Sequence, residues 1–91
     1  MSKIGIDEIW SRLKANEGQD FETKTGLIFT FTIDGDVFRP SRTKYNLGKS
    51  NIRIALELVP FDGPGLISNL VRGSAYVWAV LHDKRVRRLD W

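Results

Sequence analysis

The chain contains no cysteine and a single histidine, His82, and these two shortages exclude much of the chemistry open to a small protein. Without cysteine there is no disulfide, no thiolate nucleophile and no zinc site built on sulfur. One histidine leaves a metal ion only carboxylates, and Asp34-Gly35-Asp36 is already explained by a hairpin turn. No G-x-S-x-G or comparable elbow accompanies His82, so a nucleophilic triad is not indicated. His82 itself opens "HDKR" and is expected as an exposed polar residue of a turn. Phosphate loops are missing as well, because Gly63-Pro64-Gly65 is followed by no Lys-Ser/Thr pair. The reading is therefore of a protein that is not an enzyme, needs no cofactor and takes no small-molecule substrate.

Long apolar runs are also absent. None approaches the ~18 residues that span a bilayer, and Asp7 and Glu8 stand where a signal peptide would need an apolar core. No basic amphipathic helix suits a membrane surface, since the helix expected near 50–59 carries only Arg53 and Glu57. A cytoplasmic protein with no membrane partner is expected. What remains is ordinary globular material: 42% apolar and 27% charged, with three Trp, five Phe and two Tyr. That mixture supports one folded domain over residues 1–91.

The third absence is local. From Val37 to Leu56 there is no acidic residue, whereas Arg39, Arg42, Lys44, Lys49 and Arg53 all fall inside. Residues 1–36 hold four cations against seven acids, a balance of −3, and residues 37–91 hold ten against four, a balance of +6. Such asymmetry is the electrostatic pattern of a protein that meets an anionic partner on one side.

The spacing of Ile6, Ile9, Trp10 and Leu13 predicts an amphipathic first helix, with Asp7 and Glu8 at its start and Arg12 and Lys14 at its end. "GLIFTFTIDGDVF" alternates, placing Leu27, Phe29, Phe31 and Ile33 on one face, and Asp34-Gly35 predicts a type I′ hairpin turn. The second strand should end at Pro40, and "DFETK" should supply a charged edge strand. Glu22-x-Lys24 also resembles half of the metal-dependent nuclease site of restriction enzymes. Asp20, however, is too close to serve as its separate first acid. "SNIRIALELV" predicts a helix capped by Ser50, and "PGLISNLVRG" a short one with Leu66, Ile67 and Leu70 as its apolar side. Residues 74–91 fit either a strand pair turning at "HDKR" or a helix begun by Ser74; the aromatic and β-branched content favours strands.

The expected class is therefore α+β: an N-terminal helix, a β-hairpin, two further helices and a C-terminal β-hairpin. In element order residues 49–91 resemble the winged-helix variant of the helix-turn-helix, which implies DNA binding. Its second helix would offer only Ser68, Asn69 and Arg72 to base edges, which favours contact with the phosphate backbone. The partner expected is nucleic acid, DNA rather than RNA, in an accessory or regulatory role. Its candidate contacts are Arg39, Arg42, Lys44, Tyr45, Lys49, Arg53, Arg72, Lys84, Arg85, Arg87 and Arg88. The alternative is a protein-interaction module that presents Phe61, Trp78 and Trp91 as exposed anchors, or a homodimer paired through an edge strand.

Overall fold

Helix α1 (Ile6–Ala15) buries Ile9, Trp10 and Leu13, as their spacing predicts. The computed structural model describes residues 4–44 and 46–91; Tyr45, a candidate contact, lies outside the described residues. Trp10 Nε1 donates to the Gly35 carbonyl at 3.0 Å, which fastens the helix to the tip of the central hairpin. Five short strands follow: β1 (Phe21–Glu22), β2 (Ile28–Phe29), β3 (Phe31–Asp34), β4 (Val37–Pro40) and β5 (Leu47–Gly48). They form an antiparallel pair β1-β2 and an antiparallel sheet in the order β3-β4-β5. The edge strand expected from "DFETK" is β1.

The chain passes from the first sheet to the second at Thr30. There the Thr30 N–H donates to Ser41 Oγ at 3.0 Å and the Ser41 N–H donates to the Thr30 carbonyl at 2.8 Å. Because one residue bridges the two strands, the alternation runs on through it, and Phe29 and Phe31 are both buried. Phe21, Phe29, Phe31 and Phe38 make a continuous aromatic row. Centroid separations are 6.1 Å for Phe21–Phe29, 5.2 Å for Phe21–Phe31 and 4.8 Å for Phe31–Phe38. Tyr76 closes the row edge-on against Phe29 at 4.9 Å, so both sheets share one core with the C-terminal helix.

Asp34 pairs with Val37, so the hairpin turns on Gly35-Asp36, one residue later than the type I′ expectation. Gly35 has φ +61°, while among the described residues the non-glycine positions with positive φ are Arg88 and Leu89. A single left-handed residue in the first central position is the type II′ pattern. Pairing from Phe31↔Pro40 to Asp34↔Val37 sets that register, and it puts Phe31 and Phe38 on the buried side.

Helix α2 (Lys49–Leu56) is capped two residues before the expected Ser50; Gly48 occupies the cap position and no side chain completes it. Its stripe is as expected, with Ile52, Ala55 and Leu56 buried and Val59 buried just beyond. A 3₁₀ turn over Pro64–Ile67 replaces the short helix expected there. It buries Ile67, with Val71 after it, while Leu66 and Leu70 are 60% and 53% exposed. Two of the three residues assigned to its apolar side therefore face solvent.

The largest correction concerns residues 74–91, which form helices α3 (Ser74–His82) and α4 (Lys84–Arg87), not a hairpin. The winged-helix order thus lacks its C-terminal ribbon, while the α+β class stands. Helix α3 is apolar almost all round: Val77, Ala79, Val80 and Leu81 are buried, and Tyr76 and Trp78 half-buried. A helix enclosed on most sides has no polar stripe to reveal its period, so alternation and helical spacing fit the same letters.

Gly73 precedes α3 in the left-handed region at φ +61°, where an added Cβ would stand 3.1 Å from Leu47 Cδ1. Gly73→Ala is expected to lower stability by about 1–2 kcal/mol, read as a lower urea midpoint at unchanged slope.

Candidate nucleic-acid interface

The basic stretch forms the connection between β4 and β5 and the first turns of α2. It is held at both ends. Ser41 is tied to Thr30, and the Lys49 N–H donates to the Asp36 carbonyl at 2.8 Å where β5 runs into α2. Between and just beyond these anchors Arg42, Lys44 and Arg53 are exposed. Asn46, Ser50 and Asn51 lie in the same stretch as neutral hydrogen-bonding groups. The start of α2 adds backbone N–H groups that no side chain caps. Cations, amides and free N–H donors on one segment are the parts from which phosphate contacts are made.

Other candidate residues already have occupants. Arg39 reaches across the hairpin to Asp34 at 3.2 Å. Lys49 Nζ donates to Asp7 Oδ1 at 2.8 Å and sits 5.8 Å from the centre of the Trp10 ring, linking α2 to α1. That hydrogen bond lowers the Asp7 pKa and raises that of Lys49, but both groups meet solvent, where such pairs contribute little. Arg72 is exposed on the turn before α3, and it too takes part in interactions.

The second cluster, on α4, divides. Arg85 is spent on structure. Its Nε donates to Asp83 Oδ1 and one terminal nitrogen to Asp83 Oδ2, both at 2.9 Å. The same guanidinium reaches Gln19 Oε1 at 3.0 Å and the Asp20 carbonyl at 2.7 Å, and it lies 3.9 Å over the Phe21 ring. Asp83 also accepts the Arg85 N–H and so caps α4. Burial alone would push the Asp83 carboxyl up, but the bonds from Arg85 outweigh it and hold its pKa low. Those bonds raise Arg85 in turn, so the pair stays ionised. Arg87 donates to the Trp91 carbonyl. Lys84 and Arg88 remain exposed.

Seven candidates are therefore exposed: Arg39, Arg42, Lys44, Arg53, Arg72, Lys84 and Arg88. Lys49, Arg85 and Arg87 are half-buried and face groups of the chain itself. The first cluster adjoins the opening turn of α1 through Lys49, whereas the second is pinned to residues 19–21 through Arg85.

Three further residues do work that the sequence reading missed. Arg12 is buried in α1 and donates to the Val86 carbonyl at 2.7 Å and to Asp90 Oδ2 at 2.6 Å, besides Glu8 at 3.1 Å. Its position at the edge of the apolar stripe was the available signal. Trp91, a candidate anchor only in the alternative reading, donates Nε1–H to the Leu81 carbonyl at 2.9 Å. His82 is no exposed turn residue: it ends α3, half-buried between Phe61 and Trp78. Phe61 is buried and Trp78 half-buried, so the exposed aromatic patch of the alternative reading is not formed.

Among the described residues no group of His, Asp and Glu side chains could hold a metal ion, and no helix is long and apolar enough to cross a membrane. A shallow, open depression of about 540 Å³ lies on the segment Pro60–Leu66. In comparisons with known proteins the chain matches no family model, no curated protein and no solved structure.

Proposed function

We propose that this protein binds nucleic acid, DNA in preference to RNA, and grips mainly the phosphate backbone through residues 41–53. The observation that carries the reading is the segment itself. It contains no acid, is anchored at both ends, presents Arg42, Lys44 and Arg53 to solvent, and runs into a helix start with no side-chain cap. Lys84 and Arg88 add positive potential that steers a polyanion without entering the contact. An accessory role fits a surface that offers few groups for reading base edges.

The test is a salt titration of binding to a labelled mixed-sequence duplex. Each phosphate contacted contributes a slope of about −0.9 in log K against log salt. The triple variant Arg42→Ala, Lys44→Ala, Arg53→Ala is expected to lose about tenfold or more in affinity at low salt and to flatten the slope by roughly 2–3. Lys49→Ala should change the slope far less, because its ammonium is already held by Asp7. No measurable binding at low salt, or an unchanged slope in the triple variant, removes the proposal.

A second reading, a protein-interaction module, now rests on aliphatic residues in place of aromatics: Leu66 and Leu70 are 60% and 53% exposed beside the depression at Pro60–Leu66. It is favoured if the chain fails to bind any nucleic acid while Leu66→Ser improves its solubility.

A further inference from the structure

The segment that leaves α2 is held by side chains arriving from two directions. The Phe61 N–H donates to His82 Nε2 at 3.1 Å, and the Phe61 carbonyl accepts from Trp78 Nε1 at 3.0 Å. One residue on, the Asp62 carbonyl accepts from Lys24 Nζ at 2.7 Å. The His82 ring stands edge-on to Phe61 at 4.8 Å and stacked on Trp78 at 5.3 Å. Its Nδ1 lies 3.0 Å from the Trp78 carbonyl. A carbonyl can only accept, so Nδ1 carries the hydrogen and Nε2 is the bare acceptor. This is a neutral imidazole used at both nitrogens.

From this geometry we propose that His82 is a proton-operated latch on residues 60–66: protonation of Nε2 replaces the acceptor of the Phe61 N–H by a donor and releases the segment. The two N–H groups would then face each other at hydrogen-bond distance, and the ring or the segment must move. Trp78 and Lys24 still hold carbonyls, so the release is local. What changes is the surface that carries Leu66 and the depression beside it.

The charges around the ring favour this direction. Burial lowers the His82 pKa most, its bond to the Trp78 carbonyl works the other way, and Arg87 on α4 lowers it further. On the other packed elements, α2 carries Lys49 and Arg53, β1 carries Glu22, and the 3₁₀ turn has no ionisable residue. Arg87 is the charge acting on the ring, and the adjacent Asp83 carboxylate is committed to Arg85. With the folded-state value below the ordinary 6.5, the latch is closed above pH 6.5. Its contribution is lost as the pH falls from there through the folded-state value.

Because the chain has one histidine, its ring resonances identify themselves in an NMR titration of the full protein. The expected result is a titration below 6.5 accompanied by a fall of about tenfold in the protection of the Phe61 amide. Protection at Ser41, whose N–H donates to the Thr30 carbonyl where the two sheets join, should not change. His82→Phe should leave the Phe61 amide unprotected at every pH. Should that variant fail to fold, the wild-type titration decides alone. Constant protection of Phe61 across the titration, or loss of protection everywhere at once, overturns the proposal.

Discussion

Arg12→Ala is expected to destabilise the protein by about 3 kcal/mol, enough to lower the melting temperature by roughly 12–24 °C in a domain of this size. The residue is 7% exposed, yet its side chain meets three acceptors on two parts of the chain. Burial works against its charge, but the hydrogen bonds it donates to Asp90 and Glu8 outweigh burial and hold the guanidinium pKa above its ordinary value. Truncation strands the Val86 carbonyl, whose bond to Arg12 is buried, and a buried acceptor without a donor is the expensive outcome of a broken hydrogen bond. It also releases Asp90 and with it the turn after α4. There Arg88 and Leu89 take the left-handed φ values of +46° and +67° so that Trp91 can return to α3. Two non-glycine residues in that region cost roughly 1–2 kcal/mol each, and docking of the tail offsets that strain.

Controls separate the contributions. Glu8→Gln should shift stability by less than about 0.5 kcal/mol, since Glu8 is the exposed partner of an i,i+4 pair. Arg12→Lys keeps the charge but loses the planar fork, so it should recover only part of the loss. The measurement is thermal or urea unfolding followed by tryptophan fluorescence. A change under about 1 kcal/mol in Arg12→Ala would mean that the tail docks without it.

The sequence was readable where an element has one dry face and one wet face. α1 and the alternation through Phe29 and Phe31 satisfy that condition: Ile9, Trp10, Leu13, Phe29 and Phe31 are buried as expected, whereas Arg12 is buried and Leu27 is 37% exposed against expectation. Legibility ended where both faces are dry. Helix α3 buries Val77, Ala79, Val80 and Leu81, and its letters serve a strand equally well. The candidate interface was legible to a similar degree. A run of cations marks a basic segment, but it does not reveal that Asp7 occupies Lys49, or that Asp83, Gln19 and Asp20 occupy Arg85. Asp83 is only two residues from Arg85, but Asp7 lies 42 residues from Lys49, and Gln19 and Asp20 lie 66 and 65 residues from Arg85, with no local pattern to link them. His82 was misread for a related reason: its role is set by the Phe61 backbone, and a backbone N–H leaves no trace in the sequence.

Phe38→Ala is expected to be the most damaging single substitution, costing about 3–5 kcal/mol. Phe38 is fully buried in the middle of β4, with Ile33 opposite on β3 and Leu47 opposite on β5. Its ring stacks on Phe31 at 4.8 Å and ends the aromatic row that reaches Tyr76 on α3. Removing it opens a cavity between rigid strands, where backbone pairing limits collapse and the loss therefore lies toward the upper end. Phe38→Leu, which keeps most of the volume, should cost about 1–1.5 kcal/mol. Pairing Phe38→Ala with Phe31→Ala should cost less than the two changes summed, since each single variant already breaks the shared stack. The consequence for the interface follows from the register. Phe38 pairs with Leu47, the residue on which the basic connection ends, so milder damage at Phe38 should loosen residues 41–44 before the fold is lost. Phe38→Leu is therefore expected to keep the salt slope of nucleic-acid binding while weakening affinity at all salt concentrations. Under the proposed function the same phosphates would be contacted, but from a less ordered segment. A slope that falls along with affinity would show that Phe38 sets which cations reach the backbone, and not only how firmly the segment carrying them is held.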